Sequence, residues 1–141
     1  MAAWIAAGPQ RAVVSHDTAL ALYELALSRA REIHLTVPFE HRPRHRPRLK
    51  AVRIHTTKEP LRSDEVVQRF GVRVTSPART IADVAEVGAD PSVVIEAVAR
   101  ALSTGLVTAK ELRRSVADRS ERVRRLIERA IKEAGSRAPV R

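Results

Sequence analysis

Cysteine is absent from the 141 residues, so disulfides and thiolate metal ligands are excluded and the fold must rest on packing and hydrogen bonds. Aromatic side chains are limited to Trp4, Tyr23, Phe39 and Phe70. The core must therefore be built from Ala, Val, Leu and Ile, and base-stacking platforms of the kind that hold single strands are disfavoured. No window approaches the roughly 20 apolar residues of a membrane span, and the N-terminus lacks the basic start and long apolar run of a signal peptide. The chain reads as soluble and cytoplasmic, with no membrane partner. There is no internal repeat, no Gly-rich phosphate loop, no GxSxG and no Asp followed by Glu-x-Lys as in metal-dependent nucleases. Neither an enzyme nor a cofactor is expected.

What the chain does have is arginine. Lys and Arg number 26 against 16 Asp and Glu, a net charge of +10, and lysine appears only at Lys50, Lys58, Lys110 and Lys132. Residues 41–79 hold eleven of the cations and three of the acids, so the positive field is concentrated mid-chain. The densest stretch is His41-Arg42-Pro43-Arg44-His45-Arg46-Pro47-Arg48-Leu49-Lys50. Its prolines bar it from a helix and from a central strand, leaving an extended arm or loop tip. Guanidinium groups so crowded repel one another, and phosphates or carboxylates of a partner would relieve that repulsion. Arg42, Arg44, Arg46, Arg48 and Lys50, with Arg53 and Arg73 on flanking strands, are the candidate binding residues. The bland alternative is a solvated hairpin loop.

Around this segment the hydrophobic periods change. Ser15 reads as the N-cap of a helix with Ala19, Leu20, Leu22, Tyr23, Ala26 and Leu27 on a broad apolar face. Period-two patterns place strands at about 31–37, 51–57, 64–69 and 72–76, the last two joined by a tight turn at Gly71, with a helix over 64–69 as the alternative. Ser76-Pro77 then opens a helix: serine can accept a bond from an orphan amide, and proline at the first helical position loses nothing. Helices follow over 77–87, from Asp90-Pro91 to Gly105 with Val93, Val94, Ala97, Val98 and Ala101 inward, from the Thr108–Glu111 capping box, and from about 120 to Gly135.

Arg79 and Asp83 stand four apart on one helix face. With Ser76 and Pro77 they read as a structural latch rather than a catalytic pair. Asp64, Glu65, Asp83 and Glu86 are the carboxylates a metal nuclease would use, but their spacing is nonspecific. Five histidines invite a metal site, yet His41 and His45 lie outside any helix and no acid inside that loop completes a set, so no metal is expected. His16, His34 and His55 read as satisfied surface or boundary residues. On the last helix Arg122, Arg125 and Arg129 share a flank, and Glu121 before Arg125 and Glu128 before Lys132 make it a salt-bridged solvent face.

Three blocks together, Val14-Ser15-His16-Asp17-Thr18-Ala19-Leu20-Ala21-Leu22, Ile33-His34-Leu35-Thr36-Val37-Pro38 and Gly71-Val72-Arg73-Val74-Thr75-Ser76-Pro77-Ala78-Arg79-Thr80-Ile81-Ala82-Asp83, resemble the AbiEi family of bacterial antitoxins and transcriptional regulators. The resemblance covers roughly residues 3 to 115. It implies a member of a type IV toxin–antitoxin or phage-defence operon, in which a repressor binds promoter DNA and opposes a nucleotidyltransferase-like toxin. Full-length relatives carry a winged-helix domain ahead of the segment that here reads Trp4-Ile5-Ala6-Ala7-Gly8-Pro9. The chain starts almost there, which implies either a fragment or a short member keeping the carboxyl-terminal domain, with no room for the nuclease domain some relatives append. The expected fold is α+β: a small, mostly antiparallel sheet, an N-terminal helix and a carboxyl-terminal cluster of three or four helices, one domain over 1–135 with a loose tail at 136–141. The alternative functions are a protein-binding antitoxin domain that meets an acidic toxin surface and, from another class, a small metal-dependent nuclease.

Overall fold

In a computed structural model, residues 12–26, 32–38, 52–57, 59–69 and 71–136 are described. They form a mixed α/β fold. The strands are β1 (Val13–Val14), β2 (Ile33–Pro38), β3 (Val52–Thr57), β4 (Val66–Arg69) and β5 (Val72–Thr75), and the helices α1 (His16–Leu22), α2 (Pro77–Glu86), α3 (Pro91–Ser103), α4 (Ala109–Ser115) and α5 (Glu121–Ser136). The five strands run in the order β3-β2-β1-β5-β4.

The sheet is not mostly antiparallel. β1 with β2 and β4 with β5 are antiparallel, whereas β1 with β5 and β2 with β3 are parallel. One parallel pair involves β1, a two-residue strand too short to show a period; the other joins β2 to β3, whose alternation is the same in either direction. β1 inserts between β2 and β5. The β2–β3 register, from Ile33↔Val52 to Pro38↔Thr57, places Pro38 and Val52 at opposite ends of the pair. A hairpin between these strands is thereby excluded, because parallel neighbours need a crossover.

The β4–β5 hairpin forms as expected, with Gly71 at φ +76°. The alternative helix over 64–69 survives only as a 3-10 turn at Ser63–Glu65. α2 and α3 start as anticipated: Ser76 and Asp90 accept from the amides of Arg79 and Ser92, and Pro77 and Pro91 occupy the first turn. Thr108 and Glu111 close their reciprocal box. Three details differ. Ser15 caps nothing with its side chain, Val93 is 36% exposed while Ile95 is buried, and α5 runs through Gly135 to Ser136. The first six residues of interest at the N-terminus, Ala2–Ala7, and the tail beyond Ser136 lie outside the described residues.

One hydrophobic core joins sheet and helices. Leu20 of α1, Leu35 and Val37 of β2, Val74 of β5, Ile81 and Val84 of α2, Val94 and Val98 of α3, Leu112 of α4 and Val123 and Ile127 of α5 belong to a single buried cluster. Burial of such side chains contributes roughly 1.5–3 kcal/mol each. α1 packs on α2 and β2, and α3 lies along α5. No helix among the described residues is long and apolar enough to cross a membrane.

Three helix ends share one geometry with different residues. After α2 and α3, Gly88 (φ +85°) and Gly105 (φ +74°) hold the left-handed position, with Ala89 N–H reaching Val84 O and Leu106 N–H reaching Ala101 O. After α1 the same bonds run from Glu24 to Ala21 and from Leu25 to Leu20, but the left-handed residue is Glu24, at φ +58°. A side chain there costs about 1 kcal/mol relative to glycine. Glu24→Gly is expected to raise stability by up to about 1 kcal/mol, read as a higher urea midpoint at unchanged slope; a lower midpoint would refute the strain.

Candidate functional site

Polar side chains meet beneath the start of α1 and α2. At the β5–α2 joint Thr75 Oγ1 and Thr80 Oγ1 lie 2.6 Å apart, and Tyr23 donates its hydroxyl to Thr75 O at 2.8 Å. Burial pushes the Tyr23 hydroxyl up to about 12, with Arg69 beside the ring opposing. Arg79 carries the latch further than one pair. Its Nε lies 3.0 Å and 3.1 Å from the two Asp83 oxygens, and its Nη1 lies 2.9 Å from Glu65 Oε2. Burial works against the Arg79 charge, yet Asp83 and Glu65 together hold it above its ordinary value.

Asp83, 5% exposed, is shared. Arg119, from the loop after α4, donates to Asp83 Oδ1 at 2.8 Å and lies 3.7 Å from Glu86. Arg122 of α5 donates to the carbonyls of Ala85 and Glu86 at 3.2 Å and 3.0 Å, adding a second donor to Ala85 O, which already accepts from Gly88 N–H, at the carbonyl end of α2. The carboxylates that a nuclease reading would assign to a metal are therefore bound by guanidinium groups: Asp83 and Glu65 by Arg79, Glu86 by Arg119 and Arg122, and Asp64 by Arg62 at 3.1 Å.

Next to this cluster the three histidines read as boundary residues come together. His16 stacks on His55 with ring centroids 3.6 Å apart, and His34 lies 5.1 Å from His55. His34 Nδ1 and His55 Nε2 are 2.9 Å apart, so one of them holds the proton between them. Ser15 Oγ accepts from Thr36 Oγ1 at 2.7 Å, which leaves its own proton for His16 Nδ1 at 2.8 Å. That use of the hydroxyl is why Ser15 does not cap α1. His16 itself sits at φ +53°, a conformation that costs about 1–2 kcal/mol outside glycine.

The stack is held neutral. Burial first, then His55 and His34 and the nearby Arg79 and Arg119, pull the His16 pKa down to about 3. Burial and His34 pull His55 down to about 4, against Asp83 and Asp17. Burial lowers His34 too, against Asp17 and Glu32. His34 and His55 turn Nδ1 and Nε2 toward each other with the proton between them, while His16 lies face-on to His55 with its Nδ1 on Ser15, so the three rings do not present lone pairs to a common point. Among the described residues no group of three or more His, Cys, Asp or Glu is placed to hold a metal ion.

The predicted binding residues fare differently. Arg42, Arg44, Arg46, Arg48 and Lys50 lie outside the described residues. Arg53 is exposed on β3, 3.6 Å from Glu32, and Arg73 is half-buried on β5. With β2 and β1 between their strands they stand roughly 14 Å apart across the sheet, so they do not form one patch. On α5, Arg125 pairs with Glu121 at 2.9 Å as expected, but Glu128 reaches across to Arg113 of α4 at 2.7 Å instead of pairing along its own helix with Lys132.

In the sequence Arg42, Arg44, Arg46, Arg48 and Lys50 remain the densest group of cations, with no acid among residues 41–50. No protein-family model and no curated protein matches the chain.

Proposed function

We propose that the chain is a non-enzymatic module of the AbiEi kind, an antitoxin or transcriptional regulator of a bacterial toxin–antitoxin or phage-defence operon, that binds DNA through the cations of its Arg42–Lys50 segment. In this reading it works in the bacterial cytoplasm. The observation that carries the reading is the density of charge in the sequence: residues 41–50 hold five cations and no acid, within a net charge of +10. Cations already bound to carboxylates, as Arg79, Arg119 and Arg113 are, contribute little to phosphate binding, and a run of cations with no acid among them in the sequence is the better candidate to release counterions from DNA. What weighs against a nuclease is the occupation of Asp83, Glu65 and Glu86 by arginines, because a metal would have to displace guanidinium groups from a site that is 5% exposed at Asp83.

The test is salt dependence. Fluorescence anisotropy with a labelled duplex, across ionic strengths, should give a linear plot of log affinity against log salt. Replacing Arg42, Arg44, Arg46 and Arg48 together by Ala should reduce its slope by about 3–4. Arg113→Ala, which removes a cation bound to Glu128, should leave the slope within about one. An unchanged slope in the quadruple variant would reject DNA binding by that segment. Failure to bind duplex, with co-purification of the neighbouring gene product, would favour the acidic toxin surface as the partner.

A further inference from the structure

The carboxyl-terminal helices leave a surface that the DNA reading does not use. A groove runs between the α2–α3 turn and α5 in two halves that share Pro91 and Arg129. The first half, about 430 Å³, has Ala89, Pro91 and Leu126 beneath Arg122, Arg125 and Arg129. The second, about 480 Å³, carries Ile95 beneath Asp90, Glu96 and Glu133. Cations thus gather at one end and carboxylates at the other, with apolar surface between them. Val87 and Val93, next in the chain to Gly88 and Ser92, add apolar surface that is 57% and 36% exposed.

We infer that this groove docks an amphipathic segment of a protein partner, acidic at the end that meets Arg122 and Arg125, apolar in the middle, and basic at the end that meets Glu96 and Glu133. Charge complementarity selects this occupant. A nucleic acid is negative along its whole length and would set phosphates against Asp90, Glu96 and Glu133. A compact ligand would fill one half and leave the other bare.

The rim is ready to exchange partners. Arg125 and Glu121 are paired at 2.9 Å, but their side chains are 78% and 66% exposed, and a pair so exposed contributes only about 0–1 kcal/mol. An incoming carboxylate can replace Glu121 at little cost. Arg129 is held in the same way by Glu133 at 3.0 Å. Arg122, by contrast, is fixed on the carbonyls of Ala85 and Glu86, so one rim cation is already oriented before any partner arrives.

The experiment uses the full chain and a synthetic labelled helical peptide of about four turns, with Glu in its first half, Leu along one face and Lys in its last turn. Anisotropy is expected to show saturable binding, weakened at least tenfold by Arg125→Glu and by Leu126→Gln. Arg125 is exposed, so its variant keeps the fold even where Leu126→Gln loosens it. Exchanging the acidic and basic ends of the peptide should weaken binding at least tenfold, excess duplex DNA should not displace it, and amide signals of Gly88 and Ala89 should move on titration. Equal affinity for both charge orders, displacement by duplex, or no saturable binding would overturn the inference. So would a dimer in sedimentation that Arg125→Glu dissolves, since the groove would then belong to a second copy. None of these outcomes bears on the salt slope of DNA binding.

Discussion

Asp83→Asn is expected to destabilise the fold by about 3–5 kcal/mol, because it removes a charge that two guanidinium groups share in a nearly closed site. Arg79 and Arg119 both reach Asp83 within 3.0 Å and 2.8 Å, and their side chains are 18% and 15% exposed. With the carboxylate gone, Arg79 keeps only Glu65 and Arg119 only the more distant Glu86, and two cations in a site with little water share less negative charge than they need. Asn can still accept one hydrogen bond but compensates neither charge. The exposed pair of Arg62 with Asp64, at 3.1 Å and 60% and 55% side-chain exposure, is the contrast: Asp64→Asn should change stability by less than about 1 kcal/mol. Chemical denaturation of both variants measures the difference. Adding Arg119→Met to Asp83→Asn should recover part of the loss, since the stranded charge leaves with it. Equal effects at Asp64 and Asp83 would mean that the buried cluster holds nothing together. The same experiment bears on the nuclease reading. If Asp83 serves the fold, its variants lose stability, and a folded variant that lost magnesium-dependent cleavage would restore a catalytic role.

How far this arrangement was legible in the sequence depends on which interactions are local. Ser76, Pro77, Arg79 and Asp83 lie within eight positions, and capping and i,i+4 geometry are properties of the helix alone. The cap and the Arg79–Asp83 pair therefore form as local geometry leads one to expect, with Ser76 accepting from Arg79. Glu65 and Arg119 could not be found in that way, because they arrive from fourteen residues before Arg79 and thirty-six after Asp83, through the β4–β5 hairpin and the loop after α4. The histidines illustrate the same limit from the other side. His34 and Thr36 alternate with Leu35 and Val37, so period two correctly put them on the polar face of β2. A polar strand face reads locally as surface or boundary, whatever packs over it. β2 is an interior strand with Leu35, Thr36 and Val37 all buried, and the start of α1 covers its polar side. The parallel register, which sets His55 opposite Thr36, completes the cluster. Nothing local to β2 or β3 announces a parallel register, since period two is the same in either direction. Sheet direction was thus the expectation with least local support, and the structure overturned it.

Acidification is expected to unfold the protein over a window that the histidine stack defines. In the unfolded chain His16 takes up a proton as pH falls through about 6.5, whereas in the fold it resists until about 3. Between these values the unfolded state binds more protons, so stability is complete above about pH 6.5 and declines steadily below it. At about 1.4 kcal/mol for each pH unit, His16 alone would remove about 2–3 kcal/mol by pH 4.5. His55, which resists until about 4, acts in the same direction; being only half-buried, it contributes less. The neighbours that bear on the stack are Asp17 on α1, Glu32 and Arg53 beside β2 and β3, Arg79 and Asp83 on α2, and Arg119. Asp90 is separable, because Ser92 already holds its carboxyl below the ordinary 3.8, so its contribution is lost only at lower pH. The decisive variant is His16→Asn with His55→Gln. Asparagine tolerates the left-handed backbone at position 16 better than most residues, and glutamine keeps a donor and an acceptor near His34. Loss of the stack should make this double variant less stable at pH 7.5, yet its stability should change little between about pH 6.5 and 4.5, where the parent declines. Parallel pH profiles, measured by urea denaturation, would show that other groups carry the acid sensitivity and that the stack is indifferent to its charge.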